Sequence, residues 1–270
     1  GKGVLKAIDH IHKTLAPALV GRDVTAQEKL DTIMLELDGT PNQSKLGANS
    51  ILAVSIAAIK AASSTYNLPL FHYLQKRYRP GSNLRIPTPI FNLINGGAHG
   101  AGNLDFQEFH VIPSSRMPYK EALRAGAEIW MSLRDELIHR NAIHSVGDEG
   151  GFAPDLFTNA DALELMSVVI KNSPYRLGLD VFLGLDVAAN GFHKSGVYHI
   201  KDSPKPLDRD GMTQLYLSLV KDYGLLSLED PLDHDDWKGW TELTRVIPES
   251  TMVIGDDLIT TNAARPKQAI

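Results

Sequence analysis

The chain has 270 residues, of which 43% are hydrophobic and 22% are charged, and its net charge is −5. These values are typical of a globular protein, and the length suffices for a sizeable core and two domains. The negative charge argues against nucleic acid as the main partner. The chain has no cysteine, which excludes disulfides and thiolate zinc sites. No apolar stretch reaches the roughly 18 residues of a membrane-spanning helix, so we expect no membrane span.

Residues 4–78 are expected to be mostly helical. Apolar positions at helical spacing predict helices at residues 4–15, 26–37 and 49–65. Pro17 is expected to interrupt the first of them. The polar turn residues 79–83 are typical of a domain boundary. We therefore predict one domain at residues 1–83 and a second domain at residues 84–270.

The second domain alternates strands and helices. We predict strands at residues 86–94, 106–112, 143–146, 181–186, 225–229 and 252–256. Helices are expected at residues 119–140, 161–172, 211–223 and 237–245, with a hairpin at 190–208. Alternation from about residue 143 onward predicts a parallel βα series, and hence an α/β barrel or a doubly wound sheet.

Three of the predicted strands lead directly into a carboxylate, at Asp186, Glu229 and Asp256. In parallel α/β folds the chemistry lies at the carboxyl ends of the strands, so these acids can converge on one cation. Oxygen-only ligation suits Mg²⁺ or Mn²⁺. The alternative is that each acid only caps the helix that follows. The neighbouring Asp230 and Asp257 are better suited to capping or to supporting the ligands.

Further candidates lie near glycine-rich turns and on one strand. Glu149 lies within Gly147–Gly151, where it can act as a general acid, or it can be the solvated acid of a plain turn. Glu108 lies on a predicted strand, where a charge is costly unless it is paired, functional or facing water at a sheet edge. His99 lies in a glycine-rich loop that can meet phosphate, although a loop histidine is more often simply solvated.

Taken together, these segments resemble the enolase family, which interconverts 2-phosphoglycerate and phosphoenolpyruvate. The matching segments run through the whole chain in order, at residues 37–40, 44–49, 95–99, 107–109, 146–154, 184–186, 227–231, 235–237, 255–258 and 261–262. The most specific are those around Glu149 and Glu229. The resemblance implies an enolase-type modified β/α (TIM-like) barrel preceded by part of an α+β N-terminal domain. It also implies an antiparallel strand near the start of the barrel, at Gln107 and Glu108.

The resemblance implies a role for each candidate residue. The Mg²⁺ ligands would be Asp186, Glu229 and Asp256. Glu149 would be the proton donor, with Glu108 as its carboxylate partner. Contacts to the substrate would come from His99, Gln107, Glu108, Glu229 and Asp256.

The implied activity is the Mg²⁺-dependent, reversible dehydration of 2-phospho-D-glycerate in glycolysis and gluconeogenesis. It implies a cytoplasmic homodimer, although the family also contains octamers and secondary pools at the cell surface or secreted. Family members carry a lysine base on the strand after the one that leads to Asp256, and Lys267 does not align with that base. We therefore expect a fragment that lacks the N-terminal strands and the C-terminal part of the barrel, and that does not turn over substrate by itself.

Two other readings stay open. One is another enolase-superfamily enzyme, such as an acid-sugar dehydratase or a cycloisomerase, and the other is a non-catalytic binding or structural protein on this fold. The motifs at Gln107, Glu108 and Glu149 match the phosphoglycerate branch and argue against the first. Because the acid pair and the three metal acids are intact, catalysis is favoured over the second.

Overall fold

The computed structural model describes residues 3–97, 100, 104–147 and 149–270. Contacts between Cα atoms divide the chain into two compact units, Gly1–Arg85 and Ile86–Ile270. The boundary between the units follows the polar turn at residues 79–83. Each unit has its own cluster of buried apolar side chains.

The first unit is helical in its described residues. Its helices are α1 Leu5–His10, α2 Ala16–Leu19, α3 Gln27–Asp38, α4 Ala48–Thr65 and α5 Leu70–Tyr78. The predicted interruption at Pro17 is wrong: a π turn, Ile11–Leu15, joins α1 to α2, and Pro17 occupies the first turn of α2. The wider turn accommodates a residue without an N–H group. No single described helix is long and apolar enough to cross a membrane, although α4 and α5, bent by 93°, pass that test as a pair.

The core of the first unit is small. Leu15, Met34, Leu46 and Ile51 form its buried cluster. Beside them, the carboxylate of Asp38 is 2% exposed and accepts the Leu46 N–H at 2.7 Å. This bond closes the turn that follows α3, so the buried acid has a polar partner.

The second unit is built on a five-stranded mixed sheet in the order β1-β2-β3-β6-β7. Its strands are β1 Phe91–Asn95, β2 Glu108–Pro113, β3 Val181–Asp186, β6 Ser227–Glu229 and β7 Met252–Ile254. The separate hairpin consists of β4 His193–Lys194 and β5 Val197–Tyr198. Strand β2 is antiparallel to β1 and β3, whereas β3, β6 and β7 are parallel. The α/β class and the reversed strand near its start are therefore confirmed. In the described part of the chain the sheet is open, with β1 and β7 at its edges.

The strand predicted at residues 143–146 is wrong. Only Val146 forms a bridge there, and its partner is Phe152. Phe152 also bridges to Ile94 of β1: its N–H donates to Leu93 O at 2.8 Å, and its carbonyl accepts the Asn95 N–H at 2.8 Å. The backbone groups of β1 with which a strand at residues 143–146 could pair are thus bonded to Phe152 instead. The described residues between Val146 and Phe152 form a loop that is attached to the edge of β1.

The described part of the second unit has five α-helices, three of which begin at a side-chain cap. They are α6 Tyr119–His139, α7 Asn159–Lys171, α8 Arg209–Tyr223, α9 Trp237–Val246 and α10 Arg265–Ala269. Thr158 and Asp161 form a capping box at the start of α7. Asp208 and Asp236 cap α8 and α9 by accepting the N–H three residues further on. Gly224 ends α8 in the left-handed conformation.

The core of the second unit lies between the sheet and its helices. Strands β2 and β3 are buried along almost their whole length. For β3 this agrees with its continuous apolar run. Helix α6 packs against β1, β2 and α7. The rings of Phe106, Phe109, Phe192 and Tyr216 meet at centroid separations of 6.1–6.3 Å. This packing holds the strand ends in fixed positions.

Gly184 provides a test of that packing. A Cβ atom at Gly184 would lie 2.2 Å from Ser227 Oγ and 2.9 Å from Ile112 Cδ1. We expect Gly184→Ala to lower the free energy of unfolding by about 1–3 kcal/mol, because both neighbours belong to the packed sheet. Urea denaturation measures the loss. Gly191→Ala is the control, because no atom lies within 4 Å of its Cβ position. Equal losses in the two variants would contradict this account.

Candidate functional site

One transverse row of the sheet carries the candidate acids. Asn95 on β1 lies opposite Glu108 on β2, Glu108 lies opposite Asp186 on β3, and Asp186 lies opposite Glu229 on β6. Because β2 is antiparallel to β1 and β3, its first residue lies at the end of the sheet where β1, β3 and β6 finish. Side chains of directly paired residues lie on the same face of a sheet. The register therefore gathers these four side chains on one face, at one end of the sheet.

Asp186 is the most deeply buried of these acids, with 9% of its surface exposed. Its Oδ1 accepts the Ala188 N–H at 3.1 Å, and its Oδ2 accepts from Gln107 Nε2 at 3.2 Å. The Gln107 N–H also donates to the carbonyl oxygen of Asp186 at 3.0 Å. Gln107, predicted as a substrate contact, thus also fixes the orientation of the Asp186 carboxylate.

The carboxylates at this end of the sheet raise one another's pKa. Burial, followed by the negative charges of Glu229, Asp230 and Glu108, raises the pKa of Asp186 to about 8. Burial is also the main cause that raises the pKa of Glu229, and it raises the pKa of Asp230 to about 6. Negative charge is concentrated here in a partly dehydrated place, which is costly unless a cation compensates it.

The donor set fits a hard divalent cation. Asp186, Glu229 and Asp230 each offer a carboxylate oxygen, and these oxygens lie within 4.8 Å of one another. Mg²⁺ prefers oxygen ligands and is usually held by one or two protein carboxylates together with water and substrate. Asp186 and Glu229, on adjacent parallel strands, are suited to hold it.

Asp230 and Asp256 have different environments. Asp230 is 3% exposed, and its carboxylate accepts the backbone N–H groups of Asp256 at 3.1 Å, Asp257 at 2.8 Å and Leu258 at 3.4 Å. These bonds hold the turn that follows β7, as expected of a supporting residue. Asp256 is exposed, and the described group of close carboxylates contains Asp230 in its place. The role of Asp256 as a metal ligand stays a prediction.

The loop that bears Glu149 is attached to helix α6. The Gly147 N–H donates to Gly151 O at 2.8 Å and closes the loop. Trp130 of α6 donates its Nε1–H to Gly150 O at 2.9 Å. The Trp130 ring also stacks on Phe152, with centroids 4.6 Å apart. Helix α6 and the edge of β1 together place the loop beside the row of acids.

Glu149 projects from this loop and meets β1. Its Oε2 accepts from Nδ2 of Asn95 at 3.0 Å. Because Asn95 also pairs with Glu108 across β1 and β2, one residue joins both predicted members of the acid pair. His99, predicted as a substrate contact, lies outside the described residues.

Sequence reasoning missed three residues of this site, namely Asn95, His110 and Trp130. His110 is 5% exposed, and its Nε2 lies 2.8 Å from Glu108 Oε2. Because a carboxylate oxygen accepts, Nε2 is assigned the hydrogen. A spacing of two residues on one strand face could have indicated the His110–Glu108 contact. The contacts of Asn95 and Trp130 join residues far apart in sequence, and no local pattern indicates them.

Two family models match this sequence. One is described as the enolase N-terminal domain and matches residues 1–74, and the other is the enolase C-terminal TIM barrel domain and matches residues 83–270. The chain belongs to the enolase family. Its domains are those of an enolase-type lyase, a family that typically uses Mg²⁺. The acidic group at Asp186 and Glu229 supplies this member of the enolase family with a site whose chemistry suits that ion.

The raised pKa of Asp186 predicts how pH affects the stability of the metal-free chain. Its folded-state pKa is about 8, whereas the ordinary pKa of an aspartate is 3.8, so the folded state binds more protons than the unfolded state between these pH values. The stabilisation is complete below the lower value and is lost as pH rises through the upper one. We expect Asp186→Asn to remove this loss and to be more stable than the wild type at alkaline pH by several kcal/mol, measured by thermal unfolding.

With Mg²⁺ present, the wild-type chain should become more stable than Asp186→Asn. The ion stabilises the folded state only if it binds there, so it should raise the Tm of the wild-type chain and leave Asp186→Asn nearly unchanged. The control is Asp222→Asn, which removes an exposed carboxylate on α8. If Asp186→Asn binds Mg²⁺ as tightly as the control in titration calorimetry, Asp186 is not a ligand.

Proposed function

We propose that this site serves the Mg²⁺-dependent, reversible dehydration of 2-phospho-D-glycerate to phosphoenolpyruvate, as in glycolysis and gluconeogenesis. The observation that carries the proposal is the transverse row of the sheet, which joins the candidate metal ligands to the candidate acid pair. Asp186 and Glu229 form a close carboxylate group suited to a cation. Glu108 lies next in the row, and Glu149 is connected to the row through Asn95.

The chemistry requires both kinds of acid. A proton α to a carboxylate is very weakly acidic, and its removal concentrates negative charge on the carboxylate oxygens. Mg²⁺, when bound, stabilises that charge, a pattern general to the enolase superfamily. Asp186 and Glu229 would hold the ion, and Gln107 fixes the orientation of Asp186 through its hydrogen bond.

Glu149 would protonate the leaving hydroxide. Hydroxide is a poor leaving group, so a carboxylic acid must deliver a proton to it as the C–O bond breaks. A second carboxylate close by favours retention of that proton near neutral pH, because two adjacent negative charges are unfavourable. Glu108 would have this role, and the His110 imidazole holds one of its oxygens.

Removal of the α-proton needs a base in addition to these acids. The resemblance assigns that role to a lysine on the strand after the one that leads to Asp256, and Lys267 lies in α10 instead. We therefore expect residues 1–270 alone not to turn over 2-phosphoglycerate. Substantial phosphoenolpyruvate formation by that polypeptide would contradict this expectation.

The test of the function is an assay of the polypeptide that the complete gene encodes. We expect Mg²⁺-dependent formation of phosphoenolpyruvate, followed by its ultraviolet absorbance. Glu149→Gln should lower kcat by roughly 10²- to 10⁴-fold, because the amide cannot supply the proton. Glu164→Gln, an exposed position on α7, should retain the wild-type rate.

Two outcomes would overturn the proposal. One is a complete protein that dehydrates sugar acids and not 2-phosphoglycerate, which would place it in another branch of the superfamily. The other is an unchanged kcat in Glu149→Gln, which would remove the proton donor from the account.

A further inference from the structure

Asn95 has no role assigned to it so far, yet it is buried and bonded at two points. It ends β1, is 1% exposed, and donates from Nδ2 to Glu149 Oε2 at 3.0 Å. Its backbone N–H is bonded to Phe152 O, three residues after Glu149. Main chain and side chain of one residue therefore bind the same loop at two points.

An irregularity in β1 directs this side chain into the site. Asn92 lies opposite His110 and Asn95 lies opposite Glu108, and the register shifts between Asn92 and Ile94. In a regular strand, residues three apart point to opposite faces. The bulge restores Asn95 to the face that carries Glu108, and bulges beside active sites commonly redirect a side chain in this way.

The loop also leaves space for the Asn95 amide. A Cβ atom at Gly151 would lie 2.3 Å from Asn95 Oδ1 and 2.9 Å from Asn92 Oδ1. Any side chain at Gly151 would therefore displace the amide that meets Glu149. Within the described residues, Asn95 Oδ1 and both polar atoms of the Asn92 side chain are buried without a partner. Among the described residues, the side chain of Asn95 makes one hydrogen bond, to Glu149.

We propose that Asn95 is a positioning residue that orients the Glu149 carboxyl group and determines which oxygen carries its proton. The inference rests on the proposed function and adds a residue to it. An amide N–H can only donate, so Glu149 Oε2 is held as an acceptor. The transferable proton then resides on Oε1. In the opposite amide orientation Asn95 Oδ1 would face Glu149 Oε2, where it is repelled by the carboxylate and can accept only from a proton on Oε2. The assigned orientation bonds to Glu149 Oε2 in both protonation states.

This role predicts a specific kinetic defect. Without Asn95 Nδ2, the Glu149 carboxyl group loses a bond that orients it, and its proton is less often directed at the leaving hydroxide. Misplacement of a reacting group by about 1 Å can cost 10²-fold in rate. We expect Asn95→Ala to lower kcat roughly 10- to 100-fold, with KM changed by less than about threefold, because Asn95 acts on the proton donor and not on the substrate itself.

Asn92→Ala is the matched control. Asn92 is an amide on the same strand that also approaches Gly151, yet no side-chain bond to Glu149 is recorded for it among the described residues. Its truncation should leave kcat within about threefold of wild type, and both variants should lose similar Tm. A second route uses Gly151→Ala, which leaves Asn95 intact but displaces its amide. This variant should reproduce the loss of kcat.

A double mutant separates positioning from general damage. If Asn95 acts through Glu149, then Asn95→Ala should cause no further loss in a Glu149→Gln background. Independent, multiplied losses would overturn the inference. So would a kcat for Asn95→Ala equal to that of Asn92→Ala.

A measurement that does not depend on turnover completes the test. In ¹H–¹⁵N spectra of the same protein, Glu149→Gln should shift the side-chain amide signals of Asn95 and leave those of Asn92 in place. Unshifted Asn95 signals would overturn the hydrogen bond. A wild-type protein without dehydratase activity would instead overturn the proposed function, and the catalytic part of the inference with it, whatever the spectra show.

Discussion

The register of the β1–β2–β3–β6 sheet is the constraint on which the rest of the site depends. Because Asn95, Glu108, Asp186 and Glu229 are successive partners across the strands, a slip of one residue at any pair would move an acid to the opposite face. Because β2 is antiparallel to its two neighbours, its first residue, Glu108, lies beside the last residues of β1 and β3. Packing of the apolar side chains beneath the sheet maintains the register, and the chemistry above it depends on that packing.

The same arrangement places the acids where their charges are unfavourable without a cation. Burial and mutual repulsion raise the pKa of Asp186 to about 8 and that of Asp230 to about 6. Three backbone N–H groups partly compensate Asp230, whereas Asp186 receives one backbone and one side-chain donor. The protein therefore keeps a destabilising group at a functional position, as active sites commonly do.

Much of this site could be predicted because its signals are local. A buried strand of an α/β fold is an apolar run, and a carboxylate at its end is conspicuous, as at Asp186 and Glu229. The strand predicted at residues 143–146 is wrong because a short apolar run forms a strand only where a partner strand is available. Here Phe152 pairs with the edge of β1 instead. Asn95 was not foreseen because its contact spans 54 positions and depends on a bulge that no sequence pattern indicates.

The central claim is that the ends of β3 and β6 together form a cation site. The most direct test is the anomalous scattering of Mn²⁺, a substitute for Mg²⁺, in crystals of the protein. The account predicts a peak between the carboxylates of Asp186 and Glu229 that is absent from Asp186→Asn crystals. Peaks confined to other acidic groups, such as Asp233, Asp235 and Asp236 in the loop before α9, would contradict it.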